Sequence, residues 1–340
     1  MIADDLPSET MAFAELSSRR VAAIDCGTNS IRLLIADVSP ARAELADVTR
    51  RMEIVRLGQG VDATGRLAPE ALARTLGALE QYARAIGEAG AIATRMVATS
   101  ATRDASNAAE FTAGVVRILG IEPEVISGAQ EARLSFTGAT AELAAPGRQA
   151  GLAPPYLVVD IGGGSTEFVV GSARAPGEGA ALRAVSTDIG CVRLTERHLL
   201  ADPPTAGQVR AATADIDAAV DAAAAAVLGG PGPAPRTLVG LAGSVTTVAA
   251  IALGLPAYDS ERIHHARITA GQVHEVTQRL LGQTRAQRAA IGPMHPGRVD
   301  VIGAGALILD RILTRLGFAE VVASEHDILD GIAWSLAADA

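Results

Sequence analysis

The stretch VAAIDCGTNSIR, residues 21–32, decides the fold, because YLVVDIGGGSTE at 156–167 repeats its design. Each is a short apolar run closed by Asp-x-Gly, and each passes through a Ser into a second apolar run. Asp25 and Asp160, Gly27 and Gly162, and Ser30 and Ser165 are all 135 residues apart. A single apolar run ending in Asp-x-Gly is a weak signal, since many strands stop that way. Two copies at one offset, each between a pair of strand-like runs, predict paired hairpins in a duplicated unit.

Such turns have a chemistry. Glycine lets the backbone approach an anion closely, and successive amides in a tight turn make a concave anion site. Gly27, Asn29 and Ser30 supply this in the first copy, and Gly163, Gly164 and Ser165 in the second. Two such turns face to face would clamp a chain of phosphates. The copies differ two residues beyond the Ser: Arg32 suits phosphate oxygens, whereas Glu167 suits a metal or a water. Asp25 and Asp160, at the strand ends, suit a hydrated Mg²⁺ or another divalent cation. A third glycine site, VGLAGSVTT at 239–247, runs a strand through Gly243 and Ser244 into a helix whose N-terminus attracts anions.

Around these turns, apolar runs and helical periodicities alternate. Strands are predicted at 21–24, 31–38, 96–99, 122–126, 156–159, 166–170, 237–241 and 320–323. Helices are predicted at 69–88, from a capping box at Asn107 and Glu110 to Gly120, and at 129–143, 207–228, 245–253, 271–281, 303–316 and 328–336. Residues 144–155 and 229–235 read as loops. The class is α/β.

Composition narrows the chemistry. At 340 residues the chain is long enough for two domains, and with 3% aromatics its cores must be built from Ala, Val, Leu and Ile. All 29 basic residues are arginine. Without lysine there can be no Walker A loop, no protein-kinase strand lysine and no pyridoxal Schiff base. A net charge of −9 with no basic run argues against nucleic acid as a partner. Cys26 and Cys191 are expected to be free thiols, with Cys191 near the groove but no nucleophile. The acidic first 20 residues do not read as a signal peptide, and Gly and Pro interrupt the apolar run at 238–256. A cytoplasmic protein with no membrane partner is expected. The six histidines lack metal spacing and are expected to be solvated.

The three glycine sites, in this order, resemble the actin/hexokinase/Hsp70 fold, in which duplicated ribonuclease-H-like domains close on phosphates. The fuller pattern resembles the exopolyphosphatase/guanosine-pentaphosphate phosphohydrolase (Ppx/GppA) family in its short, two-domain form. It is carried by AIDCGTNSIRL (23–33), ATSATRDA (98–105), VISGAQEARLSFTG (125–138), VDIGGGSTEF (159–168), DIGCVR (188–193) and PGRVDVIGAG (296–305).

The resemblance implies an interdomain phosphate-binding cleft, with a flexible tail at 1–20, domain I at 21–128 plus 322–340, and domain II at 129–321. It implies Glu131 as catalytic base, with Gln130 standing where the family has a second Glu. Asp160 and Glu167 match metal-holding acids, Asp25 acting through water, and Arg103 and Arg298 match phosphate-contacting arginines. The closing segment EHDILDG (325–331) departs from the family's Gly-Leu-Arg-Glu-Gly. The implied activity is Mg²⁺-dependent removal of a terminal phosphate from inorganic polyphosphate or from guanosine pentaphosphate, in a homodimer. A kinase would need an acceptor pocket and an Asp base deep in the first domain; a non-catalytic phosphate sensor is left open by Gln130.

Overall fold

The computed structural model describes residues 18–144, 152–172 and 182–338. Most of the expected tail, and residues 145–151 of the expected loop, lie outside them. Arg19 and Arg20 do not belong to a tail: they open the first strand.

The first sheet holds β1 (Arg19–Cys26), β2 (Ser30–Ser39), β3 (Glu44–Ile54), β4 (Ala93–Ala98) and β5 (Glu124–Val125), in the order β3-β2-β1-β4-β5. The second holds β6 (Tyr156–Ile161), β7 (Thr166–Gly171), β8 (Arg183–Thr187), β9 (Thr237–Leu241), β10 (Arg267–Thr269) and β11 (Glu320–Ala323). Its order is β10-β11-β9-β6-β7-β8. In each sheet an antiparallel three-strand meander continues into two parallel strands. The second sheet thus repeats the arrangement of the first and adds β10 antiparallel at its edge. This is the expected α/β duplication of ribonuclease-H-like units.

Both sheets are covered on two faces, which is why their central strands read as unbroken apolar runs. Ala22, Ile24 and Cys26 face a core shared with the Pro69–Ala89 and Ala108–Leu119 helices, while Val21 and Ala23 face the opposite side. In the repeat, Leu157, Val159 and Ile161 take one core, Tyr156 and Val158 the other.

The two halves exchange helices. Gly128–Thr140 follows the first sheet in sequence, yet its Ala132, Phe136 and Ala139 pack under Tyr156, Val158 and Val169 of the second. Ile328–Ala338 follows the second sheet, yet its Ile328, Ile332 and Trp334 cover Val21, Ala23 and Leu34 of the first. The two helices cross at glycines: a Cβ on Gly138 would collide with the Asp327 carbonyl, and one on Gly331 with the Leu134 carbonyl. Because β11 ends at Ala323, the chain crosses back at 324–327, and the boundary expected at 322 falls inside a strand. The packing supports a division in which residues 322 and 323 stay with the second sheet.

Three further readings are corrected. β3 and β8 were not anticipated, because neither shows the alternation of a half-buried strand. The strand expected at 122–126 pairs only through Glu124 and Val125. Asn107 starts its helix without a side-chain cap; its amide instead accepts from Leu67 N and donates to Leu67 O, tying down the loop before Pro69.

Candidate active site

The two Asp-x-Gly turns meet face to face. Each closes alike, Gly27 N donating to Ser30 O and Gly162 N to Ser165 O, both at 3.0 Å. The glycines here answer to space. A Cβ on Gly163 would lie 2.9 Å from Thr28 Cβ and 3.2 Å from Asn29 N. On Gly164 it would lie 2.5 Å from Ser100 Oγ and 2.7 Å from Thr28 Oγ1. Thr28 and Ser100, which the sequence reading passed over, hydrogen-bond each other at 2.9 Å beneath this contact.

Between the turns lies a cleft of about 90 Å³ at the carboxyl ends of β1 and β6. Its walls include Asp25, Gly27, Asn29, Ser30, Arg32, Glu131, Asp160, Gly163, Ser165, Gly243, Ser244 and Arg298. Three expected residues stand back from it: Gly164 is packed against Ser100, Glu167 is buried beside its register partner Asp160, and Arg103 is turned toward Glu131.

The sequence repeat is also a repeat of position. Asp25 is the register partner of Arg32, as Asp160 is of Glu167. The two pairs differ in charge. Arg32 donates to Asp25 Oδ2 at 3.1 and 2.6 Å, and its remaining terminal nitrogen pairs with Asp327. The guanidinium expected to grip phosphate is therefore held by two carboxylates on the cleft wall. Burial works against the charge of Asp327, but Arg32 and Arg50 offset it and hold that carboxyl below its ordinary range.

Among the described residues no arginine pairs with the second acid couple. Asp160 Oδ2 accepts from Ser135 Oγ at 2.6 Å, and Glu167 Oε1 from Ser186 Oγ at 2.7 Å. Burial, then Asp327, pushes Asp160 up to about 6; burial, then Asp160, pushes Glu167 up to about 8. Asp25 is raised too, chiefly by burial, and its Oδ1 is buried with no hydrogen-bond partner.

Glu131 is 8% exposed in the first turn of the Gly128–Thr140 helix. Its carboxyl is raised well above the ordinary value by burial, then by Glu167, Asp160 and Asp25, with Arg103 opposing. Gln130 is exposed and completes a capping box: its Oε1 accepts from Ser127 N at 2.9 Å, and Ser127 Oγ accepts from its amide at 3.3 Å. The departure from the family Glu thus falls on a helix cap. Ser135, four residues after Glu131, shares its helix face, a spacing legible in sequence but not used.

The third glycine site sits across the cleft. The Ala242–Ala252 helix has no side-chain cap, and Gly243 leaves room for Arg298, whose guanidinium a Cβ would strike. Arg298 Nη1 donates to Thr247 Oγ1 at 3.2 Å. Cys191 also lines the cleft, but burial pushes its thiol up, away from the reactive thiolate.

An orphaned Asp25 oxygen amid mutually repelling buried carboxylates fits a divalent cation, and the all-oxygen donor set suits Mg²⁺. Among the described residues, Asp25, Asp160 and Glu167 do not bring three oxygens within 4.8 Å of one another. That spacing suits an ion that keeps several of its waters.

Paired ribonuclease-H-like sheets closing on acid-lined glycine turns define the actin/hexokinase/Hsp70 class of phosphate-handling fold. Within that class, the profile of the Ppx/GppA phosphatase family matches residues 34–339, and the chain belongs to this family of phosphoanhydride hydrolases. It is 52% identical over 329 residues to exopolyphosphatase 2 of Mycobacterium tuberculosis, covering 94% of this chain and 98% of that one. A solved exopolyphosphatase-like protein superposes with TM-score 0.86 at 44% identity, covering 94% of this chain and 98% of its own. The Aquifex aeolicus family member does so with TM-score 0.76 at 30% identity, covering 95% of this chain and 98% of its own. Among the described residues no helix is long and apolar enough to cross a membrane.

Proposed function

We propose that the protein removes the terminal phosphate of inorganic polyphosphate, with Glu131 as the base that orients and deprotonates water. The observation that carries this is the place of Glu131 on the cleft wall between the two glycine turns. Phosphoryl transfer asks little covalent help from a protein; it needs in-line water and neutralised equatorial oxygens. The amides of 27–30 and 162–165, the uncapped start of Ala242–Ala252 and Arg298 would hold the phosphates. A raised carboxyl makes Glu131 a better proton acceptor than an ordinary glutamate. Asp25, Asp160 and Glu167 would hold hydrated Mg²⁺, which supplies positive charge to the phosphate oxygens. The 52% identical relative named exopolyphosphatase 2 supports this substrate.

Hydrolysis of guanosine pentaphosphate is a second reading. It is favoured by a space of about 440 Å³ that shares Arg32, Gly243 and Arg298 with the cleft and is lined by Met52, Met294 and Tyr258, room for a nucleoside. The test is phosphate release with Mg²⁺ from long and short polyphosphate and from guanosine pentaphosphate, alongside ATP with sugars. Faster release from polyphosphate, lost in Glu131→Gln, is the expected result. Transfer to a sugar would make the protein a kinase, and binding without turnover a sensor.

A further inference from the structure

Four polar side chains meet away from the cleft, at the joint between the sheets. Glu142 lies in the short turn Glu142–Ala144 after the helix that begins beside Glu131. His264 and His265 follow the Ser260–Ile263 turn that leads into β10, and His326 lies in the 324–327 crossing. All three rings close on one atom. Glu142 Oε1 is 2.8 Å from His264 Nε2, 3.1 Å from His265 Nε2 and 3.5 Å from His326 Nδ1. The rings stack, with centroids 3.8 Å apart for His264 and His265 and 4.6 Å for His264 and His326. None of the four is exposed, which corrects the expectation of solvated histidines for these three, while His274 is exposed.

Hydrogen bonding alone does not account for this convergence. His265 Nε2 is buried and, though near Glu142, has no hydrogen-bond partner. His265 itself sits at φ 61, an uncommon conformation for a side-chain-bearing residue, held by its N–H to Ala323 O at 2.7 Å. A metal ion would satisfy Glu142, His264 and His326 at once. In a tetrahedral site with bonds near 2.0–2.1 Å, neighbouring donor atoms are about 3.3 Å apart. The separations of His264 and His326 from Glu142 bracket that value, and the donor atoms of Glu142, His264 and His326 all lie within 4.8 Å of one another.

We propose that Glu142, His264 and His326, with a water in the fourth position, bind a transition-metal dication, Zn²⁺ foremost. Imidazole with one carboxylate selects such an ion, whereas the all-carboxylate cleft selects Mg²⁺, so the two sites take different metals. In the metal-free arrangement His264 Nδ1 accepts from Glu325 N at 3.2 Å, placing its proton on Nε2 toward Glu142. Loading moves that proton to Nδ1 and releases the Glu325 amide. The bound ion would tie three segments far apart in sequence across the joint.

The test reads metal, not turnover, and so stands apart from the proposed activity. Metal-stripped protein is dialysed against Zn²⁺ with excess Mg²⁺ and its metal content measured; in parallel, Co²⁺ is added and its visible absorption recorded. One Zn²⁺ per chain and an intense tetrahedral Co²⁺ band are expected from the wild type and from Glu131→Gln. Glu142→Gln and His326→Asn, checked for folding by circular dichroism, should each lose the band and more than about 100-fold in affinity. The proposal is overturned if the wild type holds no more Zn²⁺ than Glu142→Gln and His326→Asn do, or if Glu131→Gln loses the ion as well. A wild-type Co²⁺ spectrum of octahedral type would overturn it without reference to any variant.

Discussion

Arg103 Nη1 lies 3.4 Å from Glu131 Oε2 while donating to Ile126 O at 2.8 Å. The arginine expected to touch phosphate also faces the proposed base and opposes the rise in its pKa. Two outcomes follow. Glu131→Gln should fold normally and lose roughly 10²–10⁴-fold in phosphate release. Arg103→Met should move the acidic limb of the kcat/KM profile to higher pH, because Glu131 would then hold its proton longer. An unmoved limb would mean that Arg103 does not act through Glu131.

The buried acids predict how stability depends on pH. Asp160 and Glu167 are raised to about 6 and about 8 in the folded protein, above the values they take when unfolded. Across that interval the native chain binds more protons than the unfolded chain, so stability is lost as pH rises. In chelator, melting temperature should fall between about pH 4.5 and pH 8 through these groups. Mg²⁺ should flatten the slope, and so should Glu131→Gln, which removes one repelling carboxylate. Melting curves recorded across this range, with and without Mg²⁺, decide it.

Asp327→Ala should be strongly destabilising. Arg32 is 18% exposed between Asp25 and Asp327, at 5% and 8%. Removing one member of a buried ion network typically costs about 3–5 kcal/mol, since the charge left behind is uncompensated. Urea unfolding of the variant should show a loss of this order, and a change within about 0.5 kcal/mol, the range of ordinary surface substitutions, would contradict it.

Gly138→Ala tests the helix crossing. The added methyl meets backbone, the Asp327 carbonyl, rather than a side chain that can swing aside. A loss of roughly 3 kcal/mol is expected, at the upper end for overpacking. Gly77→Ala, where a Cβ meets nothing within 4 Å, is the control and should be neutral or mildly stabilising.

The hairpins were legible because their information is local: an apolar run, an Asp, a Gly and a Ser carry both fold and chemistry within 12 residues. β3 was not legible, since as an edge strand it shows solvent most of its side chains. The partners of Arg32 were half legible. Asp25 is seven residues away on the neighbouring strand, but Asp327 lies 295 residues away in a segment that departs from the family pattern. Asn107 was misread because its amide serves a distant loop instead of its own helix. The histidine cluster was beyond reach for the same reason: residues 142, 264 and 326 share no spacing, only a meeting place.

The exchange of helices has a consequence for synthesis. The N-terminal sheet shows Val21, Ala23 and Leu34 on a face that Ile328, Ile332 and Trp334 of the Ile328–Ala338 helix cover. As the chain leaves the ribosome, that face lacks this cover until residues 328–338 emerge, an interval in which uncovered apolar surface invites aggregation. The second lobe has its covering helix, Gly128–Thr140, before its strands are made, so it is the first lobe that waits for the second, and a premature stop before residue 328 would leave the first sheet without its helix.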